Sequence, residues 1–266
     1  MSSIEFDPAL GATTAPELRV NLANMRQTLD MIVARARRRE GFTLFTVNLD
    51  HIVKIGSNRL FREAYERADF VTADGWPIVW IMQRDGYALE RTAGADLLEP
   101  VCARAAEHAM PVYFVGPGAA SQAAGIDVLR QRYPGLIVAG AEAPQLPAAL
   151  DAASVEAIAQ RLGASGARVC VLSLGAPKQE LLADALRARC PDVGFLCVGA
   201  ALDFISGHAA RAPMLLRRAR LEWFWRMIND PRRLTLRYAA CALALFKLAL
   251  PGLFRNNPHL RLAERN

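Results

Sequence analysis

Between about residues 20 and 200, short apolar runs alternate with longer segments whose apolar positions recur at helical spacing. The short runs are Phe42–Asn48, Asp69–Thr72, Val112–Val115, Leu136–Ala139, Val169–Leu174 and Gly194–Val198. They are β-branched or aromatic and bounded by turn residues, and they predict strands. The longer segments, near Leu22–Arg38, Ser57–Arg67, Gly94–Ala109, Ala119–Arg132, Ser154–Leu162 and Lys178–Arg189, predict helices. Pro134-Gly135 and Cys190-Pro191-Asp192 separate helix from strand. Strands that are apolar throughout belong to a sheet covered on both faces. The pattern therefore predicts an α/β fold with a mostly parallel, Rossmann-like sheet flanked by helices. From Arg211 onward no strand pattern remains, only helix. The expected organisation is an α/β body over residues 1–210 followed by a helical appendage over 211–266.

Charge gives that appendage a meaning. Between positions 211 and 237 stand Arg211, Arg217, Arg218, Arg220, Arg226, Arg232, Arg233 and Arg237 against only Glu222 and Asp230. The chain as a whole has a net charge of +6, so this stretch holds the entire surplus and the body is neutral. The arginines are interleaved with Leu215, Leu216, Trp223, Phe224, Trp225, Met227 and Ile228. A basic, aromatic-rich patch on a neutral body fits an anionic partner: a membrane surface, a diphosphate, or both. A solvated arginine face on an ordinary core helix is the plainer alternative. The longest apolar stretch, Ala239–Phe254, is broken by Lys247, Pro251 and Gly252 and is too short to span a bilayer. Residues 1–10 are acidic and lack the order of a signal peptide. Five cysteines without a C-x-x-C pair fit buried thiols of a cytoplasmic protein rather than disulfides or a metal centre.

In a parallel α/β sheet, ligands sit beyond the carboxyl ends of the strands. Thr46 and Asn48 end the first strand and point to one side; such polar ends are either a satisfied turn or a binding edge. Ala73-Asp74-Gly75 follows the second strand, either as turn chemistry or as a carboxylate at the functional rim. Gly116-Pro117-Gly118 opens a helix. Ser121 stands where a dinucleotide fingerprint has its third glycine, so the segment suits phosphate better than a nicotinamide cofactor. Gly175-Ala176-Pro177-Lys178-Gln179-Glu180 gathers a cation, an amide and an acid, and Asp203 follows the last strand. The four histidines are scattered and no D-x-D occurs, so no divalent-cation site is legible. Arginine, which binds phosphate oxygens bidentately and stays charged, can neutralise a diphosphate instead.

Taken together, Thr46-Val47-Asn48, Ala73-Asp74-Gly75, Arg91-Thr92-Ala93-Gly94, Tyr133-Pro134-Gly135, Gly175 to Glu180, Arg211-Ala212-Pro213, Leu221-Glu222-Trp223 with Arg226, and Asp230-Pro231-Arg232-Arg233 with Arg237-Tyr238 resemble the WecG/TagA/CpsF family of bacterial glycosyltransferases. The resemblance runs from about Thr43 to Tyr238. It implies an inverting, metal-independent transferase with no cofactor. Such an enzyme moves a sugar from a UDP-sugar to a polyprenyl-diphosphate-linked glycan at the anionic inner face of the cell membrane, in surface polysaccharide or wall polymer assembly, with no nucleic acid involved. Carried onto this sequence, Asp74 is the general base and Thr46 and Asn48 flank the reacting sugar. Gln179 and Asp203 contact the donor, with Gly116 in the phosphate loop, and Arg226, Arg233 and Arg237 hold a diphosphate. Leu146-Pro147-Ala148 departs from the family's Gly–aromatic–Phe stretch and leaves the donor sugar open. The rivals are another nucleotide-dependent enzyme of similar fold, drawing on Gly116-Pro117-Gly118, and a non-enzymatic membrane adaptor, drawing on the arginines alone.

Overall fold

A computed structural model describes residues 18–147, 149–218, 222–229, 231–249 and 260–262. The strands are β1 (Leu18–Val20), β2 (Phe42–Val47), β3 (Phe70–Ala73), β4 (Val112–Val115), β5 (Val138–Glu142), β6 (Val169–Leu172), β7 (Gly194–Cys197) and β8 (Leu260–Leu262). The helices of the body are α1 (Met25–Arg38), α2 (Leu49–Ser57), α3 (Arg59–Arg67), α4 (Trp76–Arg84), α5 (Gly94–Glu107), α6 (Ala119–Arg132), α7 (Ala152–Ala164), α8 (Lys178–Arg187) and α9 (Ala201–Ser206). Beyond Arg211 follow α10 (Met214–Arg218), α11 (Glu222–Asn229) and α12 (Pro231–Ala249).

Six strands form one parallel sheet in the order β3-β2-β7-β6-β4-β5. The alternation of each strand sorts its apolar side chains onto two faces. Phe45, Val47, Val115, Leu172 and Phe195 pack beneath α2, α3, α4, α7 and α8. Leu44, Phe114, Val171 and Leu196 pack beneath α1, α5, α6 and α9. After β4 the chain turns to α6 on the second face, whereas after the neighbouring β6 it turns to α8 on the first. This divergence makes a topological switch point at the carboxyl rim of the sheet.

The expected strands and helices stand with boundary shifts of a few residues; β1 and three helices of the body, α2, α4 and α9, were not anticipated. Leu49–Ser57 is helical because the Asn48 side chain caps it, accepting from the His51 backbone N–H at 3.0 Å. Asn58 ends it and caps α3 in turn. α4 escapes a periodicity reading because Trp-Pro-Ile-Val-Trp-Ile-Met is apolar on nearly every side. The expectation of helix alone beyond Arg211 needs correction: Leu260–Leu262 pairs in parallel with Leu18–Val20. A three-residue run carries too little pattern to be read as a strand; only its partner at the other end of the chain defines it. All five cysteines are buried free thiols.

Candidate active site

The candidate residues of the body converge on the carboxyl rim of the sheet. On β2 and β3, Thr46 lies opposite Thr72 and Val47 opposite Ala73. The Asp74 N–H donates to Val47 O at 2.8 Å, which fixes the Asp74 loop directly beside Asn48. Thr46 is held from below: its carbonyl accepts from the Tyr65 hydroxyl at 2.7 Å, and His51 Nδ1 lies 2.7 Å from the same oxygen. Burial pushes the His51 imidazole down to about 4, so it is neutral and serves as a strut.

One residue absent from the list of candidates, Arg91, faces Asp74, and a second, Asp96, braces it. Arg91 Nη1 stands 3.7 Å from Asp74 Oδ1, an ion pair too long to be a hydrogen bond. Arg91 Nη2 bonds closely to Asp96 on α5. The segment carrying Arg91 is tied to β3, since Thr92 N donates to Ala73 O at 2.8 Å and Thr72 Oγ1 donates to Thr92 O at 2.8 Å. Gly94 then brings α5 against β7: a Cβ there would lie 2.9 Å from Val198 Cα and 3.1 Å from Cys197 O.

Further along the rim, Gln179 is buried and spends both ends of its amide inside the protein. Its Oε1 accepts from Gly199 N at 3.0 Å and its Nε2 donates to Glu180 Oε1 at 2.8 Å. It thus pins the β7 loop to the start of α8. Glu180 is fully buried, and burial pushes its carboxyl up to about 7. Gly116 packs so closely that a Cβ would meet Ser173 O at 2.8 Å, so the loops after β4 and β6 touch at the switch point. Above that contact the surface opens. Gly175 and Gly199 adopt φ of +73° and +60°, and a Cβ on either, or on Gly118, would meet open space. Asp203 accepts from Ser121 Oγ at 2.6 Å, joining α9 to the first turn of α6 beside this opening. Lys178 Nζ donates to Leu146 O at 2.9 Å, so the divergent Leu146 segment is fastened to the same edge.

Among the described residues, four buried side-chain polar atoms lack a hydrogen-bond partner: Thr92 Oγ1, Ser173 Oγ, Glu180 Oε2 and Arg211 Nε. All four belong to segments of this rim or its border with the appendage. Buried polar groups are satisfied elsewhere in folded proteins, and exceptions collect where function imposes strain. Among the described residues no group of three or more His, Cys, Asp or Glu is arranged to hold a metal ion.

The family model described as the glycosyl transferase WecG/TagA/CpsF family matches residues 14–258, nearly the whole chain. The chain belongs to that family. It is a glycosyltransferase of polysaccharide biosynthesis.

The transferase's appendage arginines are placed unevenly. Arg237 on α12 grips Asp50 of α2 through two contacts, Nη2–Oδ2 and Nε–Oδ1, each of 2.6 Å. Lys54 Nζ adds a third contact to Asp50 at 2.5 Å. Burial raises the Asp50 carboxyl, but the Lys54 hydrogen bond and the charges of Arg237 and Lys54 outweigh it and hold it below the ordinary range. In this structure Arg237 therefore docks α12 onto α2, one turn from Asn48. Arg226 and Arg233 lie on α11 and α12, and their side chains fall outside the described residues. Asp50 and Lys54 were missed because their i, i+4 relation is visible only once Leu49–Ser57 is known to be a helix. Arg91 carried a signal, lying in a segment that resembles the family, but no spacing linked it to Asp74.

Proposed function

We propose that this glycosyltransferase is an inverting enzyme that moves a sugar from a UDP-sugar to a polyprenyl-diphosphate-linked sugar, without a divalent metal, while resting on the inner face of the cell membrane. The observation that carries the reading is the meeting of Asp74, Asn48 and Thr46 at one end of a rim whose other end opens at Gly118, Gly175 and Gly199. A half-buried carboxylate lies on one side, and open backbone suited to a nucleoside diphosphate on the other. In the proposed step an acceptor hydroxyl attacks the anomeric carbon. Its proton passes to Asp74, the bond to the β-phosphate oxygen breaks, and UDP leaves with the electron pair. Inversion follows because the nucleophile and the leaving group occupy opposite faces of the sugar.

Charge on the departing diphosphate falls to guanidinium and backbone N–H groups. Arg226, Arg233 and Arg237 are the proposed ligands, with Arg237 exchanging Asp50 for phosphate when substrate binds. Asp203 and Gln179 support the donor side, Gln179 by holding the Gly199 loop.

Membrane association is supported by the appendage surface. Leu215 is 79% exposed and Leu236 81%, with Met214, Trp223, Phe224, Ile228, Leu243 and Phe246 also exposed on α10 to α12. No helix among the described residues is long and apolar enough to cross a membrane. Apolar side chains beside Arg232 and Arg237 suit insertion at an anionic surface. The deciding experiment measures UDP release from a panel of UDP-sugars with a short-chain polyprenyl-diphosphate sugar as acceptor. One donor should turn over in the presence of vesicles and excess EDTA. Absence of release from every donor, or strict dependence on added Mg²⁺ or Mn²⁺, would overturn the reading.

A further inference from the structure

We infer that Asp96 is a positioning residue of the transfer reaction, acting through two arginines drawn from distant parts of the chain. Its carboxylate binds Arg91 through Oδ2 and Arg211 Nη2 through Oδ1, the latter at 2.5 Å. Arg91 also reaches Asp74, while the Arg211 guanidinium lies 5.8 Å from the Phe204 ring centre, next to Asp203. The four groups form an alternating series, Asp74–Arg91–Asp96–Arg211, that runs from the end of β3 to the first residue of the appendage. All four side chains are only a fifth to a quarter exposed, so water screens them little.

The geometry gives Asp96 two tasks. First, it takes the Nη2 edge of Arg91 and so sets that guanidinium 3.7 Å from Asp74. The positive charge beside the proposed base is thereby held at a fixed distance, and such a charge sets how readily a carboxylate takes a proton. Second, it ties the chain at Arg211 to the first turn of α5, where the Ala212 side chain is buried beside it. α5 itself is seated on the end of β7 by the close approach of Gly94. The appendage therefore leaves the body from a point fixed relative to the base. An acid in the first turn is also favoured by the helix dipole.

This inference rests on the reading of Asp74 as the base, and its test has one arm that needs no activity. Asp96→Asn removes the charge and keeps the shape. Amide hydrogen exchange over residues 211–216 should then accelerate about tenfold, the loss expected for a hydrogen bond between charged groups. Glu99→Gln, on the same helix as Asp96, breaks an exposed pair with Arg132 of α6 and should leave that exchange unchanged. In the active enzyme Asp96→Asn should lower kcat about 10- to 100-fold with donor KM nearly unchanged, the usual consequence of a displaced catalytic group. Asp96→Glu should restore part of it. Arg211→Gln attacks the same link from the other side and serves if Asp96→Asn does not fold. Unchanged exchange in both variants would remove the tie. Faster exchange with wild-type kcat would remove the positioning role. A wild-type protein inactive across the donor panel would remove the transferase reading and this role with it, while the exchange arm still decides whether Asp96 joins the two segments.

Discussion

Cutting the Asp50–Arg237 pair separates what holds the appendage from what binds substrate. The Asp50 side chain is 10% exposed, Arg237 40% and Lys54 28%. Two unit charges about 4 Å apart attract by about 4 kcal/mol at an effective dielectric constant near 20 and about 1 kcal/mol in water. Arg237 is exposed enough to be partly screened, and Lys54 remains on Asp50 when Arg237 is lost. We therefore expect a coupling of about 1–2 kcal/mol, below the 3–5 kcal/mol of a fully buried pair that loses a partner. The measurement is a double-mutant cycle on Asp50→Asn, Arg237→Gln and the combined variant, followed by chemical denaturation and thermal melting. Each single variant should melt about 3–6 °C lower, and the double should be little worse than either. The sign with pH is fixed by the depressed Asp50 carboxyl. Its contribution is present above the ordinary carboxylate range and is lost as pH falls through the lower folded value, so the coupling should be flat from about pH 5 to 8 and fade only in stronger acid. A coupling below about 0.3 kcal/mol, within the scatter of independent sites, would refute the docking role and leave Arg237 as a ligand alone.

The other expectations are as follows. Asp74→Asn should lower turnover by about 10²–10⁴-fold, the contribution of a placed general base, with an unchanged melting curve; a near-normal rate would remove Asp74 from that role. Glu180, raised to about 7 by burial, keeps its proton in the folded protein over a range where the unfolded chain has lost it. Stability from this group therefore falls as pH rises from about 4.5 to 7, by about 3 kcal/mol in all. Buried neutral His51 acts oppositely, adding stability as pH rises from about 4 to 6.5, so melting temperatures of the wild type and Glu180→Gln must be compared as a difference; parallel pH curves would contradict the assignment. Gly94→Ala should cost about 1–3 kcal/mol in denaturant titrations, because its methyl would press on Val198 and Cys197; an unaffected midpoint would show that α5 can shift freely. Leu215→Glu with Leu236→Glu should weaken binding to anionic vesicles about 10-fold or more in a co-sedimentation assay while leaving the melting temperature alone, since both side chains are already exposed. Equal binding would mean that this face does not meet the membrane.

Local chemistry announced the six strands of the main sheet and most of the helices that cover it, though not α2, α4 or α9. Val112–Val115 and Val169–Leu172 are apolar on both faces, and only a sheet covered on both sides accepts such strands. The same logic placed Asp74, Asn48 and the glycine loops at strand ends, because parallel strands deliver their carboxyl ends to one rim. What no local pattern contains is the partner of a charge. In sequence Arg237 shows no internal partner and is assigned to a diphosphate, yet 187 positions away Asp50 takes its Nε–Nη2 edge. Arg211 and Arg91 meet only through Asp96, and Leu260–Leu262 becomes a strand only beside Leu18–Val20. Periodicity reports which side of an element faces the core. Which distant side chain stands opposite depends on how layers stack and where helices cross, and that is decided by tertiary packing alone.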